Sequence, residues 1–141
     1  MNKKVLYIVI SVILIATVAF MMGKQKLVSS NESNETIEYS DKNGEYISSI
    51  NSTLDYSDKG TYTQTFKIQE GHSKSLSIAN NTLNKDFELL LENKNGKVLF
   101  SKIIKKKETS SFDQKYKQGE YVLKYKLVKD TKGTVEIQIN D

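Results

Sequence analysis

The chain has 141 residues and a formal net charge of +4; it contains no cysteine, no proline and no tryptophan. Disulfides and thiolate metal sites are therefore excluded, and because every cation is a lysine, so is bidentate guanidinium recognition of phosphate or carboxylate. With Lys3 and Lys4 set aside the charge falls to about +2, too little for the broad basic footprint of a nucleic-acid-binding surface.

The first predicted element is a membrane span. From Val5 to Met22 the sequence carries no charge, and only Tyr7, Ser11 and Thr17 bear a polar side-chain atom. A helix over this run would rise roughly 27 Å, close to the hydrocarbon thickness of a bilayer. A lone span in lipid must pair its backbone internally, so a helix is the expected form. Val5, Leu6, Ile8, Val9, Ile10, Val12, Ile13, Leu14, Ile15, Val18, Phe20 and Met21 are the expected lipid-facing residues of a signal-anchor over residues 1–23. A cleavable signal peptide is the rival reading. Its apolar region usually runs about 7–15 residues and ends in small residues, whereas this one is longer and ends in Phe20-Met21-Met22. Thr17 and Ala19 would make a poor cleavage pair. Lys3, Lys4 and the α-amine precede the run while Lys24 and Lys26 follow it, which favours a cytoplasmic N-terminus slightly.

Residues 24–44 are polar without any period and read as a flexible stalk. Their glycosylation sequons, such as Asn31-Glu32-Ser33, are expected by chance in so asparagine-rich a chain. From residue 45 onward the apolar period is two. Tyr46, Ser48 and Ile50 alternate weakly, and Tyr62, Gln64, Phe66 and Ile68 share one face strongly. Leu76 and Ile78 come next, then Phe87, Leu89 and Leu91, then Val98, Phe100 and Ile104. Tyr121, Leu123, Tyr125 and Leu127 form the clearest stripe, and Val135, Ile137 and Ile139 close the series. Alternation of this kind marks strands with one buried and one wet face. Turn signals separate the runs at Asp58-Lys59-Gly60, Glu70-Gly71, Asn80-Asn81, Asn95-Gly96, Gln118-Gly119 and Lys132-Gly133. The expectation for residues 45–141 is an all-β domain, a single antiparallel Greek-key or jelly-roll-like β-sandwich of about 7–8 strands.

Gly119-Glu120-Tyr121 sets a glycine two residues before a tyrosine at the start of the strongest strand. Either that tyrosine bonds back across a corner, as in Greek-key sandwiches, or it simply fills the core after a turn. Several segments taken together resemble the pre-peptidase C-terminal (PPC) type of bacterial extracellular β-sandwich. They are Ser75-Leu76-Ser77-Ile78, Asp86-Phe87-Glu88-Leu89-Leu90-Leu91, the hairpin Asn95 to Leu99, and Gly119-Glu120-Tyr121. The resemblance implies an appendage of secreted enzymes that aids secretion or binds matrix or polysaccharide. This chain departs from it in holding no protease domain to append to.

Motifs that carry chemistry are sparse. His72 is the only histidine, and zinc or triad chemistry needs partners for it. Asp55 with Asp58, or Asp86 with Asp113, would offer carboxylates to calcium, but without dense Asp-x-Asp spacing they read as solvated turn residues. No catalytic residue, cofactor or metal is expected. Tyr46, Tyr56, Tyr62 and Tyr116 are candidates for a sugar or peptide platform, although alternating tyrosines such as Tyr62, Tyr121 and Tyr125 are expected to fill the core. Lys102, Lys105, Lys106 and Lys107 form the one concentrated charge. They are candidate contacts to an anionic surface, at about 1 kcal/mol per lysine, or the solvated end of an edge strand whose lysines discourage pairing. The abundance of Lys, Asn and Ile without Arg reads as an AT-rich bacterial genome. The combined expectation is a membrane-tethered, extracytoplasmic binding or accessory protein of a bacterial cell envelope, with no enzymatic activity. Its partners would be the membrane and an extracellular protein, peptide or cell-wall polymer, and an immunity-type role fits the format. A structural, oligomerising envelope protein is the alternative, and a PPC-like polymer-binding domain secreted after cleavage is another.

Overall fold

The structure, a computed structural model, describes residues 30–39 and 47–140. The predicted membrane span, residues 1–23, and Tyr46 lie outside the described residues. Among the described residues no helix is long and apolar enough to cross a membrane.

Seven antiparallel strands form one continuous sheet: β1 (Asn31–Tyr39), β2 (Ile47–Tyr56), β3 (Gly60–Asn81), β4 (Phe87–Asn93), β5 (Val98–Ile104), β6 (Ser110–Leu127) and β7 (Thr131–Asn140). Their order across the sheet is β1-β2-β7-β3-β6-β4-β5. The last strand therefore lies near the middle, bonded to β2 on one side and β3 on the other.

Two long strands make the sheet fold over on itself. β3 has 22 residues and β6 has 18, and they pair along almost their whole length. Near Ile68–Ser73 their register shifts, and beyond it β3 exchanges its neighbours. Its first part belongs to a layer with β6, β4 and β5; its second part belongs to a layer with β7, β2 and β1. Gly71, at φ 79°, and Gly119, at φ 150°, occupy this bend, where a side chain would strain the backbone. β2 and β3 are joined by residues 57–59 yet do not pair with each other. Instead the Ser52 hydroxyl reaches the Tyr62 hydroxyl at 3.4 Å across the interior, so the two layers face each other.

The alternation read from the sequence sets the core. Tyr62, Gln64, Phe66 and Ile68 are all buried, as are Tyr121, Leu123, Tyr125 and Leu127, and Val135, Ile137 and Ile139. The weak first strand turns out longer than its sequence promised, since Ile50, Ser52, Leu54 and Tyr56 all point inward. Tyr125 stacks on Phe87 with centroids 5.8 Å apart and meets Tyr62 at 5.3 Å; Phe66 stacks on Tyr121 at 5.5 Å. Each such large apolar side chain contributes about 1.5–3 kcal/mol on burial, which a domain without disulfides requires. On the wet faces, Lys126 pairs with Glu88 directly opposite it, and Lys132 pairs with Asp55.

Three expectations need correction. The polar stretch assigned to a stalk over residues 24–44 contains strand β1, whose residues are exposed except for half-buried Ile37. An edge strand bonded on one side to β2 needs no apolar stripe of its own, so its sequence resembles a linker. Second, Tyr62–Ile68 and Leu76–Ile78 are one strand, with Glu70-Gly71 as an irregularity inside it, and Ser110–Lys117 extends the tyrosine stripe backwards. Third, the platform candidates among the described residues, Tyr56, Tyr62 and Tyr116, are all buried and present no exposed tyrosine surface.

Candidate functional site

Most connections between strands cross from one layer to the other: residues 57–59, 82–86, 105–109 and 128–130. Strand registers place them at one end of the fold, since Tyr56 lies opposite Thr131, Gly60 opposite Leu127, and Phe87 opposite Ile104. The first described residue is at this end too. The carbonyl of Ser30 accepts bonds from the Ser57 hydroxyl at 2.9 Å and the Ser57 amide at 3.3 Å, and Asn31 Oδ1 accepts from the Asp58 amide.

The lysine cluster is built into this end. Lys105–Glu108 forms a tight turn, with the Glu108 amide donating to the Lys105 carbonyl at 3.0 Å and the Lys105 amide donating to the Glu108 carboxylate at 2.8 Å. Lys107 adopts a left-handed conformation at φ 61°, rare for a side chain of its size. Asn81, buried at the end of β3, stabilises that turn from beneath: its Nδ2 donates to the carbonyls of both Lys105 and Glu108 at 3.1 Å. The Asp86 carboxylate accepts from the Lys106 amide at 2.8 Å and pairs with Lys105 at 3.2 Å. The Lys106 amide, followed by the Lys105 side chain, holds the Asp86 carboxyl below its usual range. Glu108 is likewise lowered, first by the Lys105 amide and then by Lys102. Lys102 itself reaches Glu108 at 3.5 Å and the Ser110 hydroxyl at 2.9 Å, and lies over the Phe112 ring. Lys102 and Lys105 are thus tied to carboxylates, whereas Lys106 and Lys107 are presented outward and form no salt bridge with another described residue.

Beside this turn runs an open groove of about 400 Å³, with an apolar floor of Phe87 and Leu127, apolar sides of Ile103 and Val128, and Lys59, Asp86, Glu88 and Lys126 around it. Ile103 and Val128 are 55% and 50% exposed, unusual for such residues next to a well-formed core. A larger, more polar depression of about 580 Å³ lies near the opposite end, between the β4–β5 turn and the bend at Gly119. Asn93 and Gly96 close that turn, and its wall carries Lys67, Asn95, Gln118 and Glu120. Tyr121 lines the same depression, and its hydroxyl donates to the Lys117 carbonyl at 2.6 Å. The tyrosine left open between corner bond and core is both.

A second polar constellation is internal. The Tyr62 hydroxyl, near Ser52 and Gln64, donates to the Glu35 carboxylate at 2.5 Å. Burial, followed by the carboxylate, pushes the Tyr62 phenol up to about 12. Tyr125 is fully buried and its hydroxyl has no hydrogen-bond partner among the described residues; burial raises its phenol as well.

The remaining candidates are dispersed. Asp55 pairs with Lys132, Asp58 accepts from the Lys59 amide, and Asp86 serves the lysine turn. Among the described residues no group of three or more His, Cys, Asp or Glu is placed to hold a metal ion. His72 sits at the β3 bend, away from the lysine turn. Asn81 and Glu35 were not singled out from sequence. Asn80-Asn81 reads only as a turn, and Glu35 is hidden in a polar stretch.

No family model and no curated protein matches the chain. Among solved structures, a chain from the crystal structure of accessory secretory protein 1,2 and 3 in Streptococcus pneumoniae is similar at 14% identity and a TM-score of 0.32. The match covers 75% of this chain and 84% of that one. A likeness that distant carries no argument for this protein.

Proposed function

We propose that this protein is a non-enzymatic binding or accessory domain of a bacterial cell envelope, held on the outer face of a membrane by residues 1–23. The observation that carries the reading is the uncharged run Val5–Met22 placed ahead of an all-β domain. The folded-over sheet is read as a Greek-key or jelly-roll-like sandwich. Its partner would be an extracellular protein, peptide or cell-wall polymer, engaged through the exposed grooves at its two ends; protection against a secreted peptide toxin is one use of that format. The absence of native cysteine allows a direct test. Lys94→Cys, on the exposed β4–β5 turn, should react with a membrane-impermeant maleimide in intact cells, and the labelled chain should remain in the membrane pellet after alkaline carbonate. Labelling only after lysis would overturn the extracytoplasmic placement. Recovery from the medium as a chain starting near Phe20 would instead favour a secreted, PPC-like polymer-binding domain.

One observation favours a second reading, a structural envelope protein. Among the described residues β1 and β5 each present an unpaired edge, a template for adding another strand. Sedimentation of the full chain in detergent across a concentration series separates the two; a strictly monomeric species throughout sinks the structural reading.

A further inference from the structure

We infer that the lysine turn and the adjoining apolar groove dock the domain onto anionic lipid headgroups, so that it lies on the membrane rather than standing off it. The inference rests on the anchor reading above and adds an orientation to it. Its first support is chain length. With residues 24–44 as a stalk, the domain would have a reach of roughly 70 Å. The structure begins its sheet at Asn31, with Ser30 already bonded to Ser57, so only residues 23–29 separate the apolar run from the fold. Fully extended, that stretch reaches at most about 25 Å, comparable to the domain's own dimensions.

Its second support is what surrounds the exit point. Ser30 leaves the fold at the same end as residues 57–59, 82–86, 105–109 and 128–130, and that end therefore faces the bilayer. Exposed there are five lysines, Lys59, Lys85, Lys106, Lys107 and Lys129, against the two exposed carboxylates Asp58 and Asp130, with Ile103 and Val128 half exposed at the same end. Cations for the headgroups and apolar side chains for the boundary below them are the two components of interfacial binding. A tether this short keeps the local lipid concentration high, so a weak contact is well populated. The third support is rigidity. Lys106 and Lys107 project from a turn whose backbone is fixed by Asn81, Asp86 and Glu108, so little loop ordering opposes their contact with a surface. Lysines suit this role, because a mobile headgroup layer needs point charges and no bidentate geometry.

The test uses the full chain reconstituted into vesicles that contain a lipid-borne quencher, with a fluorophore on a single introduced cysteine. Thr109→Cys reports on the lysine turn and Lys94→Cys on the opposite end. In equimolar phosphatidylglycerol and phosphatidylcholine, quenching at position 109 should exceed that at 94 several-fold. Adding Lys106→Ser with Lys107→Asn, the asparagine chosen because it tolerates the left-handed conformation, should lower it to the value seen in phosphatidylcholine alone. Equal quenching at the two positions, or equal quenching at 109 in both lipid mixtures, would overturn the docking while leaving the anchor intact. A full chain that does not float with the vesicles at all would remove the anchor reading, and the docking with it.

Discussion

The Tyr62 hydroxyl donates to Glu35 Oε2 at 2.5 Å, joining β3 to a strand with which it shares no backbone hydrogen bond. β1 is exposed along nearly its whole length, so besides the ladder to β2 it is held by this side-chain bond and by the contacts of Ser30 and Asn31 with Ser57 and Asp58 at its start. We expect Glu35→Ala to cost about 1–2 kcal/mol, the range for a charge-assisted bond that is partly wet. The loss should be local. Amide exchange should accelerate across Asn31–Tyr39 while Leu123 and Ile137 keep their protection, and uniform acceleration would refute the latch.

Alkaline pH should destabilise the fold. Tyr62 has its phenol raised from 10.0 to about 12 in the folded state, so above pH 10 the unfolded chain releases a proton that the folded chain retains. That stability is present in full below pH 10 and is lost as pH rises toward 12. Tyr125, raised for the same reason of burial, acts with the same sign. Urea midpoints followed by circular dichroism from pH 8 to 11 should fall for the wild type, and more shallowly for Tyr62→Phe. Identical slopes would show that this phenol is not responsible.

The unpartnered hydroxyl of Tyr125 suggests an unusual substitution. Tyr125→Phe keeps the stacking on Phe87 and removes a buried group that makes no hydrogen bond with another described residue. Its effect should lie within about 1 kcal/mol of neutral, on the stabilising side. Leu123→Ala, on the same buried face, should cost about 2–5 kcal/mol by opening a cavity. Thermal midpoints of the two variants decide the matter, and a large loss in Tyr125→Phe would reveal a partner for that oxygen.

Gly133 and Gly71 both have positive φ, yet their substitutions should differ. A Cβ at Gly133 would lie 2.6 Å from the Thr82 carbonyl oxygen, whereas nothing lies within 4 Å of one at Gly71. Gly71→Ala should cost about 1 kcal/mol from backbone strain alone. Gly133→Ala should exceed it by about 1–2 kcal/mol, because the residue 82–86 connection must move. Chemical denaturation of both variants gives the comparison.

Asn81→Ala should loosen the lysine turn. It removes both bonds to the Lys105 and Glu108 carbonyls and leaves those oxygens to find water. A loss of about 1–3 kcal/mol is expected, accompanied by faster exchange of the Lys106 and Glu108 amides. Unchanged exchange there would mean that Asp86 and Glu108 fix the turn without Asn81.

The strands with one buried and one wet face were legible in the sequence because alternation reports burial directly. Tyr62–Ile68, Tyr121–Leu127 and Val135–Ile139 all bury the face their pattern indicates. What escaped were features whose determinants are not periodic. β1 is held at an edge by backbone bonds and one distant side chain, so nothing within residues 31–39 announces it. Gly71 and Gly119 look like turn residues, but in the fold they bend continuous strands. The lysine turn was visible as charge, and its fixed geometry was not, because Asn81 and Asp86 are remote in sequence and converge only through the layer crossings.

The central place of β7 governs how the chain can be made. β2 reaches the rest of the sheet only by bonding to residues 131–140, which bond in turn to β3. A chain emerging vectorially from a ribosome or a translocation pore can close the β4–β5 hairpin and the β3–β6 ribbon early. The β1–β2 pair must wait, with Ile50 and Leu54 uncovered, until β7 inserts like a keystone between β2 and β3. Folding of the N-terminal strands is thereby coupled to the emergence of residues 131–140, and until then β1 and β2 have no partner in the rest of the sheet.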